Sequence, residues 1–342
     1  MPGTDPAEAM RVIAGELPDF PYLPELPDRG PGADLTGRTA GLLVDIPVEV
    51  TPRGWRLAER PGRDLARARS MLSTDLDVME EVLDGYRGAV KIQLCGPWTL
   101  AATLELPRTL NVAIADPGAV ADLTASLAEG AATHVAELAK RLPGARFVVQ
   151  FDEPALSAVA GGEVPTASGL SVLPAVEAEV LRERLAQVIT ATGRYTVVHS
   201  CSTAVPFGLI RTAGAHALSF DLSQLRRGEE DAVAEAAEAG LGLLTGVVPA
   251  GPGPAPETAA RSVAGPTGPG DGSAEARQSA ERVIRLWRRL GLPLATGPEQ
   301  AVITPACGLA GASPAQARAA LTRCREAGSM LAELIEETGG ES

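Results

Sequence analysis

The sequence predicts an α/β protein with the architecture of a (β/α)8 TIM-type barrel, formed by a single domain that spans residues 1–342. Short apolar stretches typical of buried parallel strands alternate at least six times with stretches of helical periodicity. With 45% hydrophobic residues, the chain can bury a large core. Polar residues suited to chemistry stand at the carboxyl ends of several predicted strands, where the catalytic residues of such barrels lie.

The predicted strands are recognised by apolar or alternating runs that end at a polar residue, a glycine or a proline. Residues 89–94 alternate and run into Gly96-Pro97, whereas residues 146–151 are almost continuously apolar, as a strand buried on both faces would be. In chain order, the predicted strands cover residues 89–94, 146–151, 195–202, 217–222, 243–248 and 301–304.

The predicted helices are recognised by apolar residues at helical spacing, often with proline near the start. An aliphatic stretch at 36–50 and a basic turn around Arg53 separate the first two helices. In chain order, the predicted helices cover residues 6–17, 63–86, 117–141, 174–191, 229–239, 275–290 and 314–337. Residues 249–273 form a tract rich in glycine and proline, which cannot bury a core and is expected to be a flexible insertion.

Composition excludes several classes of function. The formal net charge of −13 argues against non-specific binding of nucleic acid, which needs a basic surface. The sequence contains no apolar run of about 18 residues that would indicate a membrane span, and Met1 is not followed by a signal segment. We therefore expect a cytoplasmic protein whose partners are small molecules.

One predicted strand ends in a pair of metal-ligand types. His199 and Cys201 are two positions apart and should project from the same face. Cys307 follows the last predicted strand, and Asp221 ends the strand after His199. A catalytic zinc takes three protein ligands and leaves one position open, so His199, Cys201 and Cys307 form a candidate set. Asp221 is a candidate for a fourth ligand or for a group that contacts one of the ligands. The alternative is that the cysteines are small buried residues and His199 is a hydrogen-bonded core residue.

Two further observations concern single side chains. Asp152 and Glu153 are adjacent at the end of a predicted strand, so only one of them can face the interior of the barrel. We expect Asp152 to contact a substrate and Glu153 to have a structural role, the alternative being a helix cap or a salt bridge. Cys95 and Cys324 are expected to be buried residues without a metal, and His134 a residue near the surface of its helix.

Three motifs resemble those of a known family. V-V-Q-F-D-E-P-A-L (148–156), V-H-S-C (198–201) and T-P-A-C-G-L (304–309) are similar, in order and spacing, to motifs of the catalytic domain of cobalamin-independent methionine synthase. The resemblance extends over about residues 93–334 and implies that His199, Cys201 and Cys307 bind zinc. Asp221 stands where the family has a glutamate ligand, one methylene longer. The resemblance also implies that Asp152 holds the amino group of homocysteine.

The resemblance implies a zinc-dependent methyltransferase that acts on a thiol, homocysteine being the expected acceptor and methionine the product. Binding to zinc deprotonates a thiol and makes it the nucleophile. The folate contacts of the family are absent, because Ser157 to Val159 replace a glutamate and the tract at 249–273 replaces a histidine that donates a proton. Methylated folate and a methylated corrinoid protein therefore both remain as donors. A methyltransferase for a different thiol, or a non-catalytic homologue that binds zinc or a ligand, would also be compatible with these residues.

The start of the chain differs from the family. Members open with an apolar strand that ends in Gly-Ser, whereas this chain begins Met1-Pro2-Gly3-Thr4. We expect from the resemblance that the first strand of the barrel is truncated and that the true start lies upstream.

Overall fold

The computed structural model describes residues 1–250 and 272–339, and the side chains of residues 1–250 and 272–337. Twelve helices and eight strands lie in these ranges, besides short 3-10 turns. The strands are β1 (Val48–Thr51), β2 (Gly54–Leu57), β3 (Ala89–Cys95), β4 (Arg146–Asp152), β5 (Tyr195–Ser200), β6 (Ala217–Asp221), β7 (Gly242–Val248) and β8 (Ala301–Pro305). The helices are α1 (Pro6–Glu16), α2 (Leu35–Ala40), α3 (Arg63–Val82), α4 (Pro97–Thr103), α5 (Pro117–Arg141), α6 (Leu156–Gly161), α7 (Ala178–Thr192), α8 (Phe207–Thr212), α9 (Glu230–Glu238), α10 (Gly272–Arg289), α11 (Gly297–Gln300) and α12 (Pro314–Gly339).

The main sheet consists of β3 to β8, all parallel and adjacent in chain order. It curls into a half-barrel, with the helices of the crossovers on its outer face. All six strands that the sequence predicts are therefore confirmed, within one or two residues at their ends.

The described residues do not form the closed ring of eight strands that the sequence suggested. The segment before β3 contributes one parallel bridge, from Tyr22 to Lys91. Residues 18–31 contain several prolines, which lack the N–H group that a longer ladder needs. Strands β1 and β2 pair antiparallel with each other as a separate hairpin. The expected strand upstream of Met1 stays a prediction.

The sequence missed the shortest elements. Helices α4, α6 and α8 contain six or seven residues each, too few to show a helical period. The stretch at 36–50 is divided between α2 and the first strand of the hairpin. The tract predicted at 249–273 lies outside the described residues, except for its two ends, and the second end begins α10.

The two faces of the sheet differ in what they bury. Alternate residues such as Val149, Val198 and Leu218 point outward and join the large core beneath the helices. On the inner face, Val148, Val197, Ala217 and Leu244 make a small separate apolar cluster. Polar side chains stand above this cluster, towards the carboxyl ends of the strands. None of the helices in the described ranges has the length and apolar character that crossing a membrane requires.

Candidate active site

One row of residues crosses the sheet at the carboxyl ends of its strands. The register aligns Cys95 with Asp152, Asp152 with His199, and His199 with Ser219. Because parallel strands end at the same edge, this alignment brings together side chains that are far apart in sequence. The row defines the floor of the candidate active site.

Asp152 faces the interior of the half-barrel from the last position of β4. Its Oδ1 accepts a hydrogen bond of 2.7 Å from Nε2 of Gln150, two residues earlier on the same face. Burial raises the pKa of the Asp152 carboxyl, while His199, Lys91 and the bond from Gln150 act in the opposite direction. Asp152 thus lies among cationic or ionisable groups of the inner face, in a position to accept a cation.

Glu153 faces the other way and is fully buried. Its Oε1 accepts from the Trp98 amide at 2.9 Å, and its Oε2 accepts from both the amide and the hydroxyl of Thr99 at 2.7 Å. These are free amides of the first turn of α4. Burial raises the pKa of Glu153 to about 7 against these three bonds. Gly96 is required here, since a Cβ at that position would lie 2.4 Å from the Glu153 carboxyl.

His199 is oriented by the neighbouring strand. Its Nδ1 is 2.9 Å from the Ser219 hydroxyl, so that Nε2 remains for another partner. A histidine that binds a metal commonly has its second nitrogen fixed in this way. The sequence did not single out Ser219, although its position two residues before Asp221 places it on the same face of β6.

Cys201 and Cys307 approach each other from β5 and β8, with their sulfurs 3.4 Å apart and sharing a hydrogen bond. Hydrogen bonds from Cys201 and His199 lower the pKa of Cys307 to about 4. The same pairing, together with burial, raises the pKa of Cys201. Cys307 is therefore the more acidic thiol of the pair. All four cysteines are free, and Cys95 and Cys324 are buried as expected.

The donor set suits zinc in its chemistry. His199 and Cys201 lie close to Cys307, and two thiolates and an imidazole are donors that zinc prefers. Two thiolates about 2.3 Å from a tetrahedral zinc stand about 3.8 Å apart, only slightly more than the two sulfurs here. Among the described side chains, those of residues 1–250 and 272–337, no group of three or more His, Cys, Asp or Glu is arranged to hold a metal ion.

Asp221 ends β6 on the inner face, as the alternation of the strand requires. Its Oδ1 accepts a hydrogen bond of 2.8 Å from the amide of Ser223, which closes a turn after the strand. One carboxylate oxygen of Asp221 is thus engaged by the backbone, and its role as a fourth ligand stays a prediction.

A chain of hydroxyl groups lies beside Cys201. Ser202 is 2.8 Å from the Ser200 hydroxyl and 2.9 Å from that of Ser157, which belongs to α6. Ser157 therefore links α6, the helix that follows β4, to Ser202 just beyond the end of β5. It stands where the resemblance led us to expect a glutamate contact to folate.

Three residues differ from what the sequence suggested. His134 was expected near the surface but is only 4% exposed, and burial lowers its pKa to about 3. Lys91 and Glu25 were not singled out, yet both lie close enough to Asp152 to interact with its charge. Lys91 carried one signal, since it and Lys140 are the two lysines among 30 basic residues.

The chain is similar to known proteins both in its sequence and in its fold. The family model described as the catalytic domain of cobalamin-independent synthase matches residues 25–330. Among the solved structures that resemble the chain is a B12-independent methionine synthase from Shewanella sp. W3-18-1, in complex with selenomethionine. The likeness has a TM-score of 0.59 at 11% identity and covers 97% of this chain and 89% of that one, so it concerns the fold. No curated protein matches the chain.

Proposed function

The chain belongs to the family of cobalamin-independent synthase catalytic domains, whose members are methyltransferases, and on this premise we propose that it transfers a methyl group to the thiol of homocysteine with the help of zinc. The observation that carries the proposal is the meeting of His199, Cys201 and Cys307 beside Asp152 on the inner face of the sheet. This arrangement combines soft donors for a metal with a carboxylate for an ammonium group.

Zinc, bound by His199, Cys201 and Cys307, would supply the acidity that converts a thiol into a thiolate at neutral pH. The Ser219 hydroxyl holds the His199 ring so that its Nε2 points away from Ser219. The lowered pKa of Cys307, beside the thiol of Cys201, favours the thiolate form that a cation would bind.

Asp152 orients the acceptor. An ammonium group that bonds the free Oδ2 would be fixed by a carboxylate which Gln150 already holds in place. Positioning both ends of the acceptor places its sulfur for in-line attack on a methyl group. The thiol loses its proton, the sulfur gains the methyl group, and the proton ends on the atom of the donor that the methyl group leaves.

The family supports methylated folate as the donor, because its members act without cobalamin. A corrinoid-protein donor, which the sequence left open, has no support from the family or from the structural relative. The relative was solved with selenomethionine, an analogue of the product that we propose. We expect the donor to contact Ser157 or Ser202, whose hydroxyls share a hydrogen bond next to Cys201.

The proposal is tested with purified protein, zinc, homocysteine and methylated folate of one or several glutamates. We expect methionine, detected by mass spectrometry, and restored growth of a methionine auxotroph on homocysteine. Folded protein that contains zinc but transfers no methyl group from any offered donor would contradict it and would favour a non-catalytic binding protein.

A further inference from the structure

A pocket of about 480 Å³ lies between α10, α12 and the end of β7, and the described residues that line it include none of the candidate active site. Its charged lining consists of Arg282 and Arg285 from α10, Arg323 from α12, and Glu275 from the first turn of α10. Three arginines and one glutamate leave a formal excess of two positive charges, in a chain whose net charge is −13. The volume lies in the range of sites for small molecules. We call it the arginine pocket.

The end of β7 holds the first of these arginines in place. The pairing of β7 with β8 shifts its register between Gly246 and Val248, so Val247 is an extra residue that the ladder leaves out. The Val247 carbonyl accepts a hydrogen bond of 2.8 Å from Nη1 of Arg282. This bond uses one of the five N–H donors of the guanidinium. Among the described residues, no carboxylate lies within ion-pair distance of Arg282, so its positive charge is not neutralised there.

The other two arginines approach from different helices. Arg285 lies three residues after Arg282, on the same side of α10. Its ion pair with Glu281 is long, at 3.7 Å, and Glu281 also accepts a hydrogen bond of 3.3 Å from Arg277. Arg323 projects from α12, is 25% exposed, and pairs with Glu275. The lining thus provides one carboxylate for three guanidiniums.

Such an excess of positive charge is not imposed by the composition. The chain has 43 acidic and 30 basic residues, so carboxylates are abundant. On the same helix, Arg289 has a carboxylate partner, Glu230, at 3.0 Å. Guanidiniums that converge on one pocket repel each other, and an anion between them would offset this repulsion. The planar fork of a guanidinium bonds the oxygens of phosphate and carboxylate groups in pairs.

A phosphate group matches the arginine pocket better than a carboxylate does. It carries a charge of about −1.5 to −2 at neutral pH, close to the excess of the lining, and has three acceptor oxygens that point in different directions. A carboxylate has one charge and two oxygens in one plane. We propose that the arginine pocket binds a dianionic phosphate group, either as the free ion or as the head of a small phosphate monoester. This site does not depend on the proposed methyl transfer.

Calorimetric titration of the whole protein, freed of phosphate and at low salt, tests the proposal with inorganic phosphate, glycerol 3-phosphate and succinate. We expect at least one of the two phosphates to bind with a Kd below about 1 mM, and succinate to bind about 10-fold more weakly or less. Tighter binding of glycerol 3-phosphate identifies a monoester as the ligand, and tighter binding of inorganic phosphate identifies the free ion. Absence of binding by both phosphates, or equal binding of succinate, would overturn the proposal.

Two substitutions with opposite effects distinguish a binding site from a surface that is merely charged. Arg285→Gln, at an exposed position, should fold normally and weaken phosphate binding about 3- to 10-fold. Glu275→Gln removes the carboxylate that competes for Arg323 and should tighten binding about 3-fold. Arg288→Gln, exposed on α10 outside the pocket, is the matched control and should keep the wild-type Kd. Equal weakening by Arg285→Gln and Arg288→Gln would overturn the site.

Phosphate oxygens can also bind a zinc ion, so the Cys307→Ser variant is titrated with the same phosphates. We expect it to bind phosphate with the wild-type Kd, because Cys307 does not line the arginine pocket. Loss of phosphate binding in this variant would place the anion at the metal and would overturn the inference. A protein that binds phosphate through Arg285 but transfers no methyl group would support the arginine pocket and contradict the proposed function, so the two can fail separately.

Discussion

Asp152 and Glu153 are neighbours at the end of β4, yet they belong to two regions that differ in how far their polar groups are satisfied. On the outer face, Glu153 accepts three hydrogen bonds from the start of α4. On the inner face, Asp152 has one oxygen bonded, Glu25 has an oxygen without a partner, and Lys91 uses one donor. The outer carboxylate is saturated by the protein itself, whereas the inner groups keep capacity for a ligand.

The difference indicates which face of the sheet can bind a ligand. A buried charge that the fold has fully bonded is there to join its elements, and Glu153 joins β4 to α4. A buried polar group with unused bonds costs stability and is a candidate for a contact with a ligand. Substitutions on the two faces should therefore fail in different ways, the inner ones in activity and the outer ones in folding.

The largest effect is expected on the inner face, at Cys307. Replacing this thiol by a hydroxyl in Cys307→Ser removes a soft donor, and we expect methyl transfer to fall about 1,000-fold or more. Because Cys307 is exposed, thermal unfolding should change little. Cys324→Ser, buried in α12, is the matched control and should lose stability but keep its turnover. Full activity of Cys307→Ser would contradict a role in the reaction for a metal bound by Cys307.

The next effect is expected on the outer face. In Glu153→Gln, the amide NH2 would meet an N–H donor of Trp98 or Thr99, so that one buried donor loses its acceptor. We expect the free energy of unfolding to fall by about 3 kcal/mol, measured by urea denaturation, with zinc binding of the folded protein unchanged. Glu163→Gln, exposed beyond α6, should be neutral. A stable Glu153→Gln variant without activity would show that the outer face takes part in catalysis.

Asp152→Asn tests the inner member of the same pair. The amide keeps the size of the side chain but has no charge for the ammonium group, so the KM for homocysteine should rise about 10- to 100-fold. The unfolding free energy should stay close to that of the wild-type protein. Asp122→Asn, exposed on α5, is the control. An unchanged KM would move the amino-group site away from β4.

The smallest effect concerns His134, which is buried on α5 and lies outside the candidate active site. Its pKa of about 3 in the folded protein lies below the ordinary value of 6.5, because burial and the charges of Arg38 and Arg141 disfavour protonation. Below pH 6.5, the unfolded chain binds a proton that the folded chain refuses, so stability is lost as the pH falls. Between pH 7.5 and pH 5.0, we expect the wild-type protein to lose about 2 kcal/mol more than His134→Leu. An equal loss in both proteins would contradict this assignment.

Much of the sheet was predictable because each strand is formed by residues that are adjacent in the sequence. The apolar runs around Val149 and Val198 gave the parallel strands, and the polar residue that ends each run marked the inner edge. Asp152, His199 and Cys201 could be found in the same way, since strand alternation alone places them on one face. The pairing of Cys201 with Cys307, 106 residues apart, followed only from the assumption that both strands end at one edge.

What could not be predicted depends on contacts that no local pattern records. Glu25 belongs to a proline-rich segment that has one bridge to β3 and no strand pattern of its own. Lys91 has the pattern of any polar residue on an alternating strand, so its position near Asp152 was not apparent. His134 lies in an alanine-rich helix, whose weak pattern did not show that this side is buried. The closed barrel is not confirmed by the described residues, and six parallel strands in the sequence fit a half-barrel as well as a closed one.

The zinc content of the protein is the most direct test of the proposed function, because that proposal makes His199, Cys201 and Cys307 the ligands of a zinc ion that activates a thiol. The wild-type protein, purified with zinc present and then dialysed against a weak chelator, should retain about one zinc per chain by mass spectrometry. Cys307→Ser, treated in the same way, should retain almost none. Folded wild-type protein without zinc, or a variant that retains as much zinc as the wild-type protein, would contradict the central claim.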